Sequence, residues 1–338
     1  FASRSPVEDS VVFESLGRLY LKQGEKTPQT LTNDTKGWHE YHPVWSKNGK
    51  FIYFFRWNDK ELTSLHRVSQ RGGKSTELRL GKGIYSELTI SADGKELIFR
   101  KLSGDPLLGF EWSTSPGIYS YNLDSQKLSF AGQSGKYPSA LKDGRIILQL
   151  REETAVGRGS LTAKTILTSR TVEGHDQKGL ASAQYATRII PSPNSRYLAF
   201  LDRYHLFVTR VSPSSSTIIL DASKPAFPTR RISKIGAAYP TWSDDSSSIS
   251  WSVGSQFKTV KMVNVFSLDG EIPTDIVDLS IEFSAERPSS KLALIDATIV
   301  TMNENRSVIE NGTVLIEENR IIKVGNEDTV IPPDFKKI

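Results

Sequence analysis

The chain of 338 residues contains no cysteine. That absence removes disulfides, thiolate metal sites and cysteine nucleophiles, and it leaves the compartment open. Histidine is scarce, at His39, His42, His66, His175 and His205. None of the five forms a His-x-His or His-Glu-x-x-His pair, the short spacings that place two imidazoles on one metal. No Gly-x-Ser-x-Gly nucleophile elbow occurs. No apolar run approaches the roughly 18–20 residues that a membrane-spanning helix needs, so no membrane span is expected. Charge of one sign is also missing: 43 Lys+Arg stand against 38 Asp+Glu, a net +5. The only dense basic group, Arg230-Arg231 with Lys234, is too short for a nucleic-acid patch, and no nucleic-acid partner is expected. Phe1-Ala2-Ser3-Arg4 is neither a signal peptide nor an initiator, which predicts a mature or truncated product.

What is present is a repeat. His42-Pro43-Val44-Trp45-Ser46-Lys47-Asn48-Gly49-Lys50-Phe51-Ile52-Tyr53-Phe54 reads as a turn feeding a strand. Asn48-Gly49 is the strongest short hairpin signal, because both residues tolerate positive φ. Ile52 and Phe54 then alternate at the period of a half-buried strand. The phrase returns with turn acids at Asp93, Asp143, Asn194 and Asp245, at steps of 45, 50, 51 and 51 residues. A period of roughly 40–50 residues with several strands per unit marks a β-propeller, whose blades cannot bury both faces alone and stack around an axis.

Blades are predicted over 41–80, 85–132, 136–176, 185–222 and 238–280. Residues 10–33 read as a back hairpin without its front hairpin, as if the chain were cut inside the first blade. The expectation is a six-bladed propeller with an incomplete first blade. Three inserts interrupt the pattern: Ser103 to Pro116 with Phe110 and Trp112, a loop over 151–164 with Gly157 and Gly159, and a linker over 223–237. Long loops lie at a propeller's faces, where partners bind. Trp112 is the candidate for partner or ligand contact, whereas Trp45, Trp242 and Trp251 sit at repeat positions and are expected in the core.

The phrases "PVWSKNGKFIYFF" and "YPTWSDDSSSISW" resemble the WD40-like repeats of TolB-type propellers, in which Trp-Ser-x-Asp-Gly-Lys opens the second strand of each blade. The resemblance covers most of residues 1–280. It is specific for the fold and weak for function, since propellers host many activities.

After Arg287-Pro288-Ser289-Ser290 the step stops. Short strands follow, with tight turns expected at Asp296-Ala297, Asn311-Gly312 and Glu318-Asn319. "ALIDATIVTMNENRSVIENGTVLIEENRIIKVGNEDTVIPPDF" is similar to the opening of amidohydrolase-superfamily enzymes of the imidazolonepropionase and dihydroorotase kind. The resemblance implies domains at 1–287, a TolB-like propeller, and 288–338, part of a composite β-sandwich whose closing strands return after a (β/α)8 barrel. It also implies metal-assisted hydrolysis of an amide-type C–N bond, with one or two divalent metals, zinc above all, held in that barrel. The sequence ends at Ile338 before the family's His-x-His segment, so no position here carries a ligand.

Within the chain each chemical signal has a plainer reading. His39 and His42 could bind a metal on a helix, but Pro43 and the repeat place them in a loop or strand. Gly72-Gly73-Lys74-Ser75 would need a first P-loop glycine where Val68 stands, and reads as a hairpin turn. Gly157-Arg158-Gly159 lacks the third glycine of a dinucleotide fingerprint. No catalytic, cofactor-binding or metal-binding residue is therefore assigned within 1–338. Two readings remain: a fragment of an amidohydrolase-like enzyme whose propeller gates access or holds a partner, and a non-catalytic TolB-like binding protein. Both imply a periplasmic or secreted bacterial setting. The expected partners are the rest of the polypeptide, another copy of the chain, or a protein on a propeller face. The apolar face of Val314, Ile316, Ile321 and Val324 is expected to lie partly uncovered.

Overall fold

A computed structural model describes residues 1–104, 115–140, 143–155, 161–171, 174–212, 216–267, 270–284 and 289–338. The described chain forms two compact units, Phe1–Ile281 and Glu282–Ile338.

The first unit holds six successive sheets, the blades of a propeller. The second blade shows the plan. His39–Trp45, Phe51–Asn58, Leu62–Ser69 and Thr76–Leu78 pair antiparallel in chain order. Ile52, Phe54 and Phe55 are fully buried; in place of the expected half-buried alternation, Ile52 to Arg56 form one buried run, because both faces meet a neighbouring blade. The third to sixth blades open with Tyr85–Ile90, Lys136–Ala140, Ala186–Pro191 and Ala238–Trp242.

The five predicted turns fall where the repeat puts them, between the first and second strands. In four, a serine and the turn acid build one device. Ser46 Oγ donates to Asn48 Oδ1 (2.8 Å), which also accepts from Lys50 N–H (3.1 Å), while Phe51 N–H donates to Ser46 Oγ (2.9 Å). Ser91 with Asp93, Ser192 with Asn194 and Ser243 with Asp245 repeat it. The next residue takes a left-handed backbone, as Gly49 (φ 67°), Gly94 (φ 75°) and Gly144 (φ 82°) do at no steric cost.

The first blade corrects the sequence reading. Its sheet has all four strands: Ala2–Arg4, Ser10–Ser15, Arg18–Gln23 and Gln29–Thr30. Residues 10–23 are its second and third strands rather than its back hairpin. Ser5 stands where Ser46 does, and Ser5 N–H donates to Ser10 carbonyl (2.8 Å) as Ser46 N–H does to Phe51 carbonyl (2.8 Å). Val7 replaces the turn acid, so only the serine survives of the phrase.

Neighbouring blades are joined by packing and by two tryptophans. Trp45 Nε1 donates to Ser3 carbonyl (3.0 Å) and Trp242 Nε1 to Ile190 carbonyl (3.1 Å), each reaching the first strand of the preceding blade. Trp251 is buried in the core of the fifth and sixth blades. The ring closes without strand exchange. Ala2, Val11 and Phe13 of the first blade pack on Phe257 and Leu279 of the sixth, and the Arg4 guanidinium lies 5.8 Å from the Phe257 ring centroid.

Two inserts also differ from expectation. Residues 151–155 and 161–164 are not loop. They extend the hairpin Ile146–Ala155 and Leu161–Arg170, whose register runs unbroken to Ala155 opposite Leu161. The predicted linker over 223–237 contains Thr229–Arg231, the outer strand of the fifth blade. Just before it, Ile218–Leu220 crosses to pair parallel with Lys178–Ala183 of the fourth blade.

The second unit is one sheet in which Arg320–Gly325, Val308–Glu317, Lys291–Val300 and Lys336–Lys337 are neighbours in that order. Glu318-Asn319 is a hairpin turn, with Glu318 at φ 55°. Asp296-Ala297 and Asn311-Gly312 are not turns. They are irregularities on facing strands of one long hairpin, with Asp296 at φ 52° and Asn311 at φ 49°. One face is covered by its own chain, through Ala293, Leu315 and Phe335. On the other, Val314 and Ile316 are half-buried while Ile321 and Val324 are 65% and 43% exposed.

Candidate site at the propeller axis

The first strands of the propeller carry a second regularity, six residues before the turn acid, or before Val7 in the first blade. The equivalent positions are Phe1, His42, Glu87, Tyr137, Arg188 and Tyr239. In the five later blades the strand pairing slips beside this position, between Tyr41 and Val44, Ser86 and Thr89, Lys136 and Ser139, Ala186 and Arg188, and Ala238 and Thr241. His42, Glu87, Tyr137 and Tyr239 hold left-handed backbones, with φ of 50°, 60°, 52° and 52°. Such a conformation costs a non-glycine residue about 1 kcal/mol or more. Bulges of this kind bend a strand and re-aim a side chain.

With the strand bulged beside it in the five later blades, and with Phe1 from the first, the six residues meet in a circle. The Phe1 ring lies 5.8 Å from the His42 ring and 5.7 Å from the Tyr239 ring, centroid to centroid. Glu87 N–H donates to His42 Nδ1 (2.9 Å), and Tyr137 N–H donates to Glu87 Oε2 (2.6 Å). The Arg188 guanidinium carbon stands 4.4 Å from the Tyr137 ring centroid, and Tyr239 lies within the electrostatic reach of Arg188. Each blade gives one residue, so the circle surrounds the axis on which the blades converge. Tyr137 is 36% and Tyr239 44% exposed, so the circle is open to solvent.

The charges are arranged unequally. Glu87 is matched, with Oε1 held by Arg100 Nη2 at 2.9 Å. Glu14 Oε2 accepts from His42 N–H (2.7 Å). Burial holds the His42 pKa below its ordinary value, opposed by Glu14, and the hydrogen bond to Nδ1 leaves the imidazole proton on Nε2. Burial likewise lowers the Arg188 pKa, opposed by Tyr137, Glu87 and Tyr239.

The residues singled out in the sequence fall elsewhere, with one exception. His42 joins the circle, but His39 is exposed, and Glu87 N–H occupies His42 Nδ1. Among the described residues no three His, Asp, Glu or Cys side chains gather as a metal site. Gly73 N–H donates to Leu31 carbonyl (2.9 Å), and Ser75 hydrogen-bonds Asp34 and His66, so Gly72–Ser75 is a turn stitched to the first blade and not a phosphate cradle. Arg230 Nη2 donates to Gly270 carbonyl (3.1 Å) and Lys234 pairs with Glu271. Phe110, Trp112 and Gly157-Arg158-Gly159 lie outside the described residues. The sequence held a signal for the circle: each member stands six residues before a turn acid, or before Val7 in the first blade.

A second polar cluster, between the first and second blades, is structural. Glu40 and Arg56 are 1% and 3% exposed. Glu40 accepts from Thr32 Oγ1, Leu19 N–H and Arg56 (Nε 3.1 Å, Nη2 3.0 Å), and Arg56 also holds Asp34 through two nitrogens. Every buried charge there has its partners, as burial demands.

No protein-family model matches the chain, and no curated protein sequence matches it. Solved structures do. TolB from Acinetobacter baumannii is 15% identical, with a TM-score of 0.50 over 77% of this chain and 60% of that one. A putative TolB from Agrobacterium tumefaciens is 16% identical, with a TM-score of 0.51 over 72% of this chain and 86% of that one. The chain thus spans 60% of the length of the Acinetobacter protein. At these identities the likeness establishes the TolB-like propeller fold. Among the described residues no helix is long and apolar enough to cross a membrane.

Proposed function

We propose that the propeller is a non-catalytic binding module, of the TolB-like kind, that takes hold of its partner at the axis. One observation carries this reading. Six equivalent positions, one per blade, meet in a circle, and they are filled by five different residue types. A position needed only for the fold would repeat its residue, as the turn serine does. Affinity selection of a random hexapeptide pool tests the reading. The native chain should enrich peptides that the Tyr137→Ser/Tyr239→Ser variant does not retain. Equal enrichment on both proteins would refute it.

A second reading adds an enzyme. The similarity of residues 291–335 to amidohydrolase openings supports a longer polypeptide that hydrolyses amide-type C–N bonds with a divalent metal, zinc, in its barrel, and whose propeller gates entry or holds a protein partner. The bulged hairpin of the second unit, apolar on a face that its own chain leaves partly bare, favours it. The rest of the polypeptide or a second copy would cover that face. A periplasmic or secreted bacterial setting belongs to both readings. Metal analysis and amidase assay of the product of the whole reading frame, beside residues 1–338, test the second. Metal and activity in the longer product alone are expected, and their absence from it would remove the hydrolase.

A further inference from the structure

We infer that Arg188, flanked by Tyr137 and Tyr239, is a binding site for the carboxylate of a ligand that bears a flat apolar group. The inference rests on the axis being the contact site and gives that site its chemistry.

Arg188 is the one ring cation whose hydrogen bonds are unspent. Among the described residues it donates none, and its Nε is buried without an acceptor. The guanidinium carbon lies over the Tyr137 ring, 4.4 Å from its centroid, a contact that spends no hydrogen bond and leaves the N–H donors free. Those donors match a carboxylate through two parallel hydrogen bonds. The acids nearby are engaged. Glu87 spends Oε1 on Arg100 and Oε2 on Tyr137 N–H. Glu14 accepts from His42 N–H on the far side of the circle. With Arg100 neutralised by Glu87 and the Phe1 ammonium by Glu14 Oε1 (3.3 Å), the charge that Arg188 leaves over is a single positive one. It suits a monovalent carboxylate better than a phosphate dianion. A partly buried cation without an acceptor is costly, so the site gains most from a ligand that supplies one. Tyr137 presents its ring to Arg188, and Tyr239 with Phe1 supplies the next rings of the circle, which favours an aromatic or otherwise flat body.

Calorimetric titration of the whole 338-residue chain tests this with three probes: N-acetylphenylalanine, 3-phenylpropanoate and N-acetylphenylalaninamide. Both acids should bind, with the uncharged amide weaker by about tenfold or more, some 1.4 kcal/mol. Arg188→Gln should erase the preference for acid over amide, and Arg188→Lys should keep part of it, since charge survives while the fork is lost. Equal thermal unfolding of the variants shows that the fold is kept. N-acetylphenylalanine binding better than 3-phenylpropanoate identifies a peptide C-terminus as the source, and the reverse identifies a small carboxylate. Equal binding of acid and amide overturns the assignment, as does an acid preference that survives Arg188→Gln or the absence of binding by every probe up to about 10 mM. In each of those cases, peptide selection that still depends on Tyr137 and Tyr239 leaves the axial reading standing.

Discussion

The same six strands carry two positions, four residues apart, that behave in opposite ways. At the turn, serine stands in five of the six blades, as Ser5, Ser46, Ser91, Ser192 and Ser243, and closes the same backbone hydrogen bond each time. At the axis, the residues are Phe, His, Glu, Tyr, Arg and Tyr. The serine's backbone hydrogen bond recurs in those five blades, and a slip in strand pairing recurs beside the axial position in the five later ones. Uniform chemistry on a repeated backbone is what folding asks for, because each turn solves the same problem. Varied chemistry on a repeated backbone is what recognition asks for, because a ligand is not six-fold symmetric.

If this contrast holds, substitutions should divide sharply. The largest loss belongs to the buried cluster between the first two blades. Arg56→Ala leaves Glu40, at 1% exposure, without its counter-charge, and should cost about 3–5 kcal/mol in urea unfolding. A loss below about 1 kcal/mol would show that the cluster does not hold the seam.

The next effect is pH-dependent. His66 is 8% exposed, and burial, with Arg56 adding to it, pulls its pKa down to about 4. The folded value lies below the unfolded one of 6.5, so the unfolded chain takes up the proton first. Stability is then full above about pH 6.5 and falls as the pH drops towards 4. Between pH 7 and 5 the native protein should lose on the order of 2 kcal/mol more than a His66→Gln variant. Parallel pH profiles of the two would contradict the assignment.

A smaller loss is expected at one turn. Ser91→Ala removes the hydroxyl that bridges Asp93 Oδ1 and Glu96 N–H, at about 1 kcal/mol. The smallest effect belongs to the axis: Tyr239→Ser should change stability by no more than about 0.5 kcal/mol while weakening ligand binding. Thermal unfolding of both variants checks the pair. A Tyr239→Ser loss equal to that of Ser91→Ala would erase the distinction between the positions.

The turn was legible in the sequence because its chemistry is local. Serine, the acid two residues on and the left-handed residue after it make their bonds within six residues of chain. The first strand of the first blade is not legible, because Ser5-Pro6-Val7-Glu8-Asp9 keeps the serine of the phrase and none of the rest. The paired bulges of the second unit read as turns in the sequence because Asp-Ala and Asn-Gly suit a left-handed backbone in either setting, and only the facing strand decides between them. The circle was not legible by residue type, since no type recurs there often enough to mark it. It becomes visible once the repeat register is laid down and the varied column is sought instead of the constant one.

Backbone amide spectra of the ¹⁵N-labelled 338-residue chain, titrated with N-acetylphenylalanine, test the central claim most directly. The account predicts that the shifted amides cluster at His42, Glu87, Tyr137, Arg188 and Tyr239 and their strand neighbours, with Ser46, Ser91, Ser192 and Ser243 unmoved. Shifts centred on the turns or on the second unit, with the axial amides still, would contradict it.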